Sequence, residues 1–397
     1  MKLLIIHPEG NIKNNPNLYY FCKELVNLGF QIKIFSRKNP DIYQGTLFEG
    51  AEFVYFTNNK VENFKIKKNL TQENFDFVIG IDDGIIEAEL ISKARGVPYA
   101  FLSYEIFFDK ELISLNNKTD IRQKQKTVRA CQNIQFAIVQ DETRKQCLIN
   151  EYHISEDKIL LMPVAGKGVK ALQRTSYFHD KLKIEQGKKI LLYMGWMDDF
   201  QLDRLTKYAK FLPEDWVLVI HSRYKYVGKV LAKDSKSKIY FSLDEPIENI
   251  EDIGILLSDV NAGFCSYQPD YKTPFTGENV KYIGLSSGKA STFLQYGIPV
   301  VVENMNIWDE LVTKYKIGIV LKKPQDLLKL EVLNFNEITP QSCFEFFDKY
   351  LDINNFIPSI VNQINISSEK KESRNFLPFY LQEFVSISKY ILKKILK

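Results

Sequence analysis

The sequence predicts an α/β protein of two Rossmann-like, doubly wound parallel-sheet domains facing each other across a cleft. Short apolar runs of strand length alternate with helix-length segments, several of which stop at a glycine. That alternation is the mark of strand–helix–strand units and of a parallel sheet covered on both faces. It breaks off in a Gly- and Lys-rich stretch and then restarts. The length of 397 residues also exceeds what one ordinary core serves, which makes two domains the default. Residues 1–165 are assigned to the first domain, 166–188 to a linker, 189–345 to the second domain, and 346–397 to C-terminal helices expected to pack back on the first.

The elements follow in order. Residues 3–6 are an apolar strand run, followed by a Gly/Asn/Pro loop and a helical pattern over 18–28 that stops at Gly29. Residues 31–35 alternate as a strand. Strands are expected at 77–81 and 99–102, separated by a helix over 85–95 that Gly96 closes. A strand at 136–139 and a helix over 142–151 complete the first unit. The second begins with a strand at 189–193 ending at Gly195, then a helix over 202–211 and strands at 217–220 and 239–241. A helix over 250–257, a strand at 261–265, a helix over 289–296 and strands at 300–302 and 319–321 follow. In such sheets ligands bind beyond the carboxyl ends of the strands, so the cleft between the domains is the expected site.

Composition narrows the class. Hydrophobic residues make up 45% and charged residues 26%, as in ordinary soluble globular chains. A net charge of +4 gives no reason to expect nucleic acid as a partner. Cys22, Cys131, Cys147, Cys265 and Cys343 are scattered, odd in number and include no Cys-x-x-Cys pair. That favours a reducing compartment and argues against structural zinc. The apolar run at the start is too short for a signal peptide and lacks a small-residue cleavage site, so a first strand is expected there. No run approaches the roughly 20 apolar residues of a spanning helix. A cytoplasmic protein is expected.

The most informative stretch is 283–302, Ile-Gly-Leu-Ser-Ser-Gly-Lys-Ala-Ser-Thr-Phe-Leu-Gln-Tyr-Gly-Ile-Pro-Val-Val-Val. A loop of small residues opens a helix, a glycine ends it, and a strand run follows. A helix start carries unpaired N–H groups and a partial positive charge, which suits a phosphate. The backbone of Ser286, Ser287 and Gly288, with the Lys289 ammonium, forms the candidate phosphate site. The alternative is a solvated first-turn lysine. A nucleotide-hydrolysing P-loop is excluded, because Ala290 stands where that motif needs Ser or Thr and Ile283 where it needs Gly.

Other residues fall at strand ends. Arg223 follows the strand 217–220 and is a candidate second cation, with a surface arginine as the alternative. His7 and Gly10 occupy the turn after the first strand, where glycine would let backbone approach a ligand. Asp82 ends the strand 77–81 and Glu105 follows the strand 99–102. A carboxylate at either place would position or deprotonate a hydroxyl. The alternative for Asp82 or Asp83 is a cap on the next helix.

Several segments together resemble the GT-B glycosyltransferases, and over most of the chain the GT4-like retaining branch (glycosyl transferases group 1). These are Tyr193-Met194-Gly195, 257–263 (Leu-Ser-Asp-Val-Asn-Ala-Gly), Gly284 to Lys289 with 296–300 (Tyr-Gly-Ile-Pro-Val), and Glu310-Leu311-Val312 with Gly318-Ile319. In the first domain they are Asp76 to Glu105 and Gln140-Asp141-Glu142-Thr143-Arg144. The resemblance implies a hexosyltransferase of polysaccharide biosynthesis that moves sugar from a nucleotide-diphosphate donor to a glycan or lipid-linked glycan. It implies retention of anomeric configuration without a covalent enzyme nucleophile. Donor binding would fall to Gly10, Gly195, Ser286, Ser287, Gly288, Lys289 and Thr292, catalysis to Lys289, Arg223, Glu105 and His7, and the acceptor side to Asp82 and Glu105. The nucleotide sugar would be a co-substrate, with no further cofactor and no metal.

The absence of any Asp-x-Asp fits metal-free electrostatic stabilisation by a helix start and basic side chains. The chain differs from the family's E-x7-E pattern, with Gly284 and Thr292 in place of the two glutamates, and from its Arg/Lys pair, where 196–200 reads Trp-Met-Asp-Asp-Phe. Two other readings are a non-catalytic nucleotide- or glycan-binding module of the same fold and a sugar-nucleotide epimerase. Finally, residues 376–397 carry Lys389, Lys393, Lys394 and Lys397 against Glu383, and Leu381, Phe384, Val385, Ser388 and Leu392 can share one helix face. Such a helix closes the fold on the first domain or lies on an anionic membrane surface, peripheral on the inner leaflet.

Overall fold

The computed structural model describes all residues except 11, 13–14, 38–48, 196–197, 223–237, 243–249, 304, 306, 332–337, 371–374, 376 and 396–397. The first sheet holds β1 (Lys2–His7), β2 (Gln31–Arg37), β3 (Ala51–Phe56), β4 (Phe77–Ile81), β5 (Tyr99–Leu102), β6 (Ala137–Val139) and β7 (Ile159–Leu161). All pairs are parallel and the order is β3-β2-β1-β4-β5-β6-β7. Helices α1 (Pro16–Asn27), α2 (Lys60–Gln72), α3 (Gly84–Arg95), α4 (Asp109–Ser114), α5 (Lys118–Cys131) and α6 (Glu142–Tyr152) connect these strands. Burial on both faces explains why β4 and β5 read as unbroken apolar runs.

A segment with one short helix, α7 (Tyr177–Leu182), leads to the second sheet. Its strands are β8 (Lys189–Gly195), β9 (Trp216–Ser222), β10 (Ile239–Ser242), β11 (Ala262–Ser266), β12 (Val300–Glu303) and β13 (Gly318–Leu321). They too are all parallel, in the order β10-β9-β8-β11-β12-β13. The helices are α8 (Asp199–Ala209), α9 (Ile253–Leu257), α10 (Glu278–Lys281), α11 (Gly288–Gln295) and α12 (Ile307–Tyr315). Then come α13 (Pro340–Tyr350), which packs on α11, α14 (Ile357–Ser368), which packs on α1, and α15 (Leu377–Ile395), which packs on α2 and α3. One apolar cluster runs from Leu3 and Phe21 through Phe178 and Ile184 to Leu192, Phe293 and Ile360, so it joins both sheets.

The two expected parallel-sheet units are present, and several boundaries move for local reasons. Helix α8 begins before residue 202 because the Asp198 carboxylate accepts from Gln201 N at 2.7 Å and caps it. The helix expected over 250–257 is a 3₁₀ turn at Ile250–Asp252 followed by α9. Strand β3 escaped the sequence reading because it is a half-exposed edge strand.

Candidate functional site

Both strand orders reverse direction beside their first strand, between β1 and β4 and between β8 and β11. Connections leave in opposite directions at such a point and open a crevice. The two crevices face each other and enclose a cavity of about 540 Å³. His7, Asp82 and Glu105 line it from the first domain, and Gly195, Ser286, Gly288, Lys289 and Thr292 from the second.

On the second wall a 3₁₀ turn, Gly284–Ser286, runs into α11. The Ser287 side chain caps α11, accepting from Ala290 N at 3.4 Å, and its hydroxyl also faces the Tyr267 hydroxyl at 3.4 Å. Ser287 is buried and lies off the cavity wall, so its side chain serves the helix. The first N–H groups of α11, at Gly288 and Lys289, have no intrahelical partner by geometry, and both residues line the cavity. The Lys289 ammonium sits between two rings, 4.3 Å from the Tyr193 centroid and 4.4 Å from that of Tyr267. It also donates to the Tyr193 hydroxyl at 3.2 Å. Burial works to lower its pKa, but Tyr193, Tyr267 and Cys265 outweigh that and hold it above the ordinary lysine value.

Gly195 makes room for that side chain. A Cβ there would lie 2.8 Å from Lys289 Cε and 3.3 Å from Nζ, and φ is +137°. Thr292 lies one turn into α11, where its hydroxyl donates to Gly288 O at 2.6 Å. Its oxygen keeps acceptor capacity toward the cavity it lines.

The first wall is acidic. Asp82 has φ +47°, and its carboxylate accepts from Tyr104 N at 2.7 Å and Glu105 N at 2.9 Å. It therefore ties the loop after β5 to the end of β4. Asp83 stands at the start of α3 and makes no side-chain cap bond. Burial first, then the charges of Glu105 and Glu9, hold the Asp82 carboxyl well above the usual carboxylate range. Burial pushes Glu105 up to about 7 against the opposing pull of Arg144, and Asn279 Nδ2 donates to its carboxylate. His7 ends β1, is buried, and its pKa is lowered to about 4 by that burial, so it is neutral near pH 7.

Not every expected residue meets the cavity. Gly10 has φ +81°, a Cβ there would collide with the Arg37 carbonyl oxygen, and the residue lies off the cavity wall. The glycine thus serves the packing of its turn on the end of β2. Arg223 lies outside the described residues, as do Trp196 and Met197. Tyr193, Tyr267, Asn279, Phe200 and Phe275 line the cavity and were not anticipated as site residues. Tyr267 was findable, since it follows the strand expected at 261–265; nothing local marks Asn279.

No family model matches the chain, and no curated protein matches it in sequence. Solved structures do resemble it. Anabaena HepE in complex with UDP-glucose is 10% identical over 92% of this chain and 100% of that chain, with a TM-score of 0.66. Sucrose-phosphate synthase from Thermosynechococcus elongatus is 11% identical over 92% and 98%, with a TM-score of 0.63. A glycosyltransferase from Rickettsia africae is 14% identical over 92% and 98%, with a TM-score of 0.60. At these identities the likeness is one of fold: two facing parallel-sheet domains in the GT-B arrangement.

Proposed function

We propose that this chain is a glycosyltransferase that moves a sugar from a nucleotide-diphosphate donor to a hydroxyl of a glycan or lipid-linked glycan. The proposal extends to a hexosyltransferase of the GT4-like branch, acting in polysaccharide biosynthesis with retention and without a metal. The observation that carries it is the Lys289 ammonium, enclosed by Tyr193 and Tyr267 in the first turn of α11, with those rings and Cys265 rather than a carboxylate as its electrostatic neighbours. A cation there is repelled by the helix dipole unless an anion joins it. A diphosphate on Gly288, Lys289 and the ammonium supplies that anion, with residues 189–345 as the donor side.

In the transfer, the bond from the anomeric carbon to the phosphate oxygen breaks and a bond to the acceptor oxygen forms. The leaving diphosphate takes the electron pair, and Lys289 with the start of α11 stabilises its growing charge. The acceptor hydroxyl gives its proton to the carboxylate of Glu105 or Asp82 on the opposite wall, which also orients that hydroxyl, and neutral His7 lines the same wall. Residues 1–165 form the acceptor side. The UDP and UDP-glucose held by HepE make uridine nucleotides the first probes.

Calorimetric titration with UDP, GDP and ADP tests the donor site. One of them binds the protein, and Lys289→Ala weakens that binding at least about tenfold, or 1.4 kcal/mol. If none binds, the proposal is wrong. Binding without any sugar transfer would favour the non-catalytic module, to which the replacement of both E-x7-E glutamates by Gly284 and Thr292 points.

The proposal includes docking on an anionic membrane surface through α15. Leu377, Leu381, Val385 and Leu392 recur along one side of this helix and are exposed, and Lys389 is exposed beside them. Lysines 393, 394 and 397 follow in the sequence. No helix among the described residues is long and apolar enough to cross a membrane, so the helix would lie in the interface plane.

A further inference from the structure

The phosphate loop belongs to the second domain, but a carboxylate of the first domain holds it. Asp141 opens α6, and one of its oxygens accepts from Arg144 N at 2.9 Å as a helix cap. The other oxygen reaches across the interface and accepts from Leu285 N at 2.7 Å. Asp141 is 3% exposed, so this contact is closed to water. Its neighbours repeat the pattern. The Gln140 side-chain oxygen Oε1 accepts from Ser286 Oγ at 2.8 Å, and the Arg144 guanidinium donates to Tyr282 O at 3.0 Å. The exit of β7 adds Val164 N, which donates to Leu285 O at 2.9 Å.

Gly284 explains how the carboxylate fits. It has φ +48°, and a Cβ there would overlap an Asp141 carboxylate oxygen. Asp141 thus fills the volume that any side chain at 284 would need. In the E-x7-E pattern that the chain departs from, position 284 would carry the first glutamate. Here the carboxylate arrives from the other domain, lies off the cavity wall and, across the interface, accepts from the loop backbone at Leu285.

We propose that Asp141 is a positioning residue that holds Leu285 to Lys289 in the phosphate-binding conformation, so that the donor site is complete only when the two domains are seated together. This rests on the donor-site reading above.

Asp141→Ser separates the two roles of the side chain. A serine hydroxyl still caps α6 but is too short to reach Leu285. Asp141→Ala removes both. The measurements are UDP, GDP and ADP titration by calorimetry, hydrogen exchange over 283–289, and the melting temperature. Asp141→Ser is expected to melt close to the unmodified protein, to bind the nucleotide at least tenfold more weakly and to exchange faster over 283–289. Asp141→Ala is expected to lose the same affinity and also stability. If Asp141→Ser matches the unmodified protein in affinity and in exchange, the positioning role is wrong. If the unmodified protein binds no nucleoside diphosphate, the donor reading fails, and exchange in Asp141→Ser alone decides whether Asp141 holds the loop.

Discussion

At the Lys289 ammonium, two tyrosine rings stand where a buried lysine would usually have a carboxylate. Rings attract the cation without neutralising it, so its charge stays available to a ligand. Gly195 is the other half of this arrangement. Gly195→Ala would place a methyl against Lys289 Cε and force a side chain into φ +137°. It is expected to weaken nucleotide binding about as much as Lys289→Ala. The double variant should be no weaker than either single one, because both remove the same contact. Additive losses in calorimetry would show that Gly195 acts elsewhere.

Glu105 carries a pH prediction. Its folded pKa is raised to about 7 from an ordinary 4.5, chiefly by burial. A raised carboxylate holds its proton more tightly when folded, so its contribution to stability is full below about pH 4.5 and is lost as pH rises through 7. Glu105→Gln removes that dependence. Its melting temperature, relative to the unmodified protein, is expected to rise between pH 5 and pH 8 on the scale of this single titration. A difference that stays flat across that range would contradict the raised pKa.

At the scale of elements, α15 shows what a helical pattern leaves open. The stripe containing Leu381, Val385 and Leu392 reads as a core face or as a membrane face. The helix packs on α2 and α3, yet these three residues are exposed. Replacing Leu381 and Val385 together by glutamate is therefore expected to change stability by no more than about 0.5 kcal/mol per site. The unmodified protein is expected to co-sediment with phosphatidylglycerol vesicles in preference to phosphatidylcholine, and the same variant to lose that co-sedimentation. Equal sedimentation of both proteins would remove the membrane reading. Elsewhere local signals served well: β4 and β5 match the expected strands residue for residue, and Gly96 ends α3 as expected. The edge strand β3 and the short helix α4 were missed because neither carries a sustained apolar period.

At the scale of the whole molecule, both sheets place their reversal points against one cavity, and His7, Asp82, Glu105, Gly195 and Lys289 meet there from strand ends and helix starts. The sequence by itself determined the alternating elements, the two parallel sheets and the loop with Lys289 at a helix start. Those depend on periodicity, glycine stops and capping, all of which act within a few residues. The tertiary structure alone decided that tyrosines 193 and 267 enclose Lys289, and that Asn279 meets Glu105. It alone placed Asp141 against Leu285, 144 positions along the chain. Such pairs form only when separate elements pack, and no local pattern records which side chain will face which.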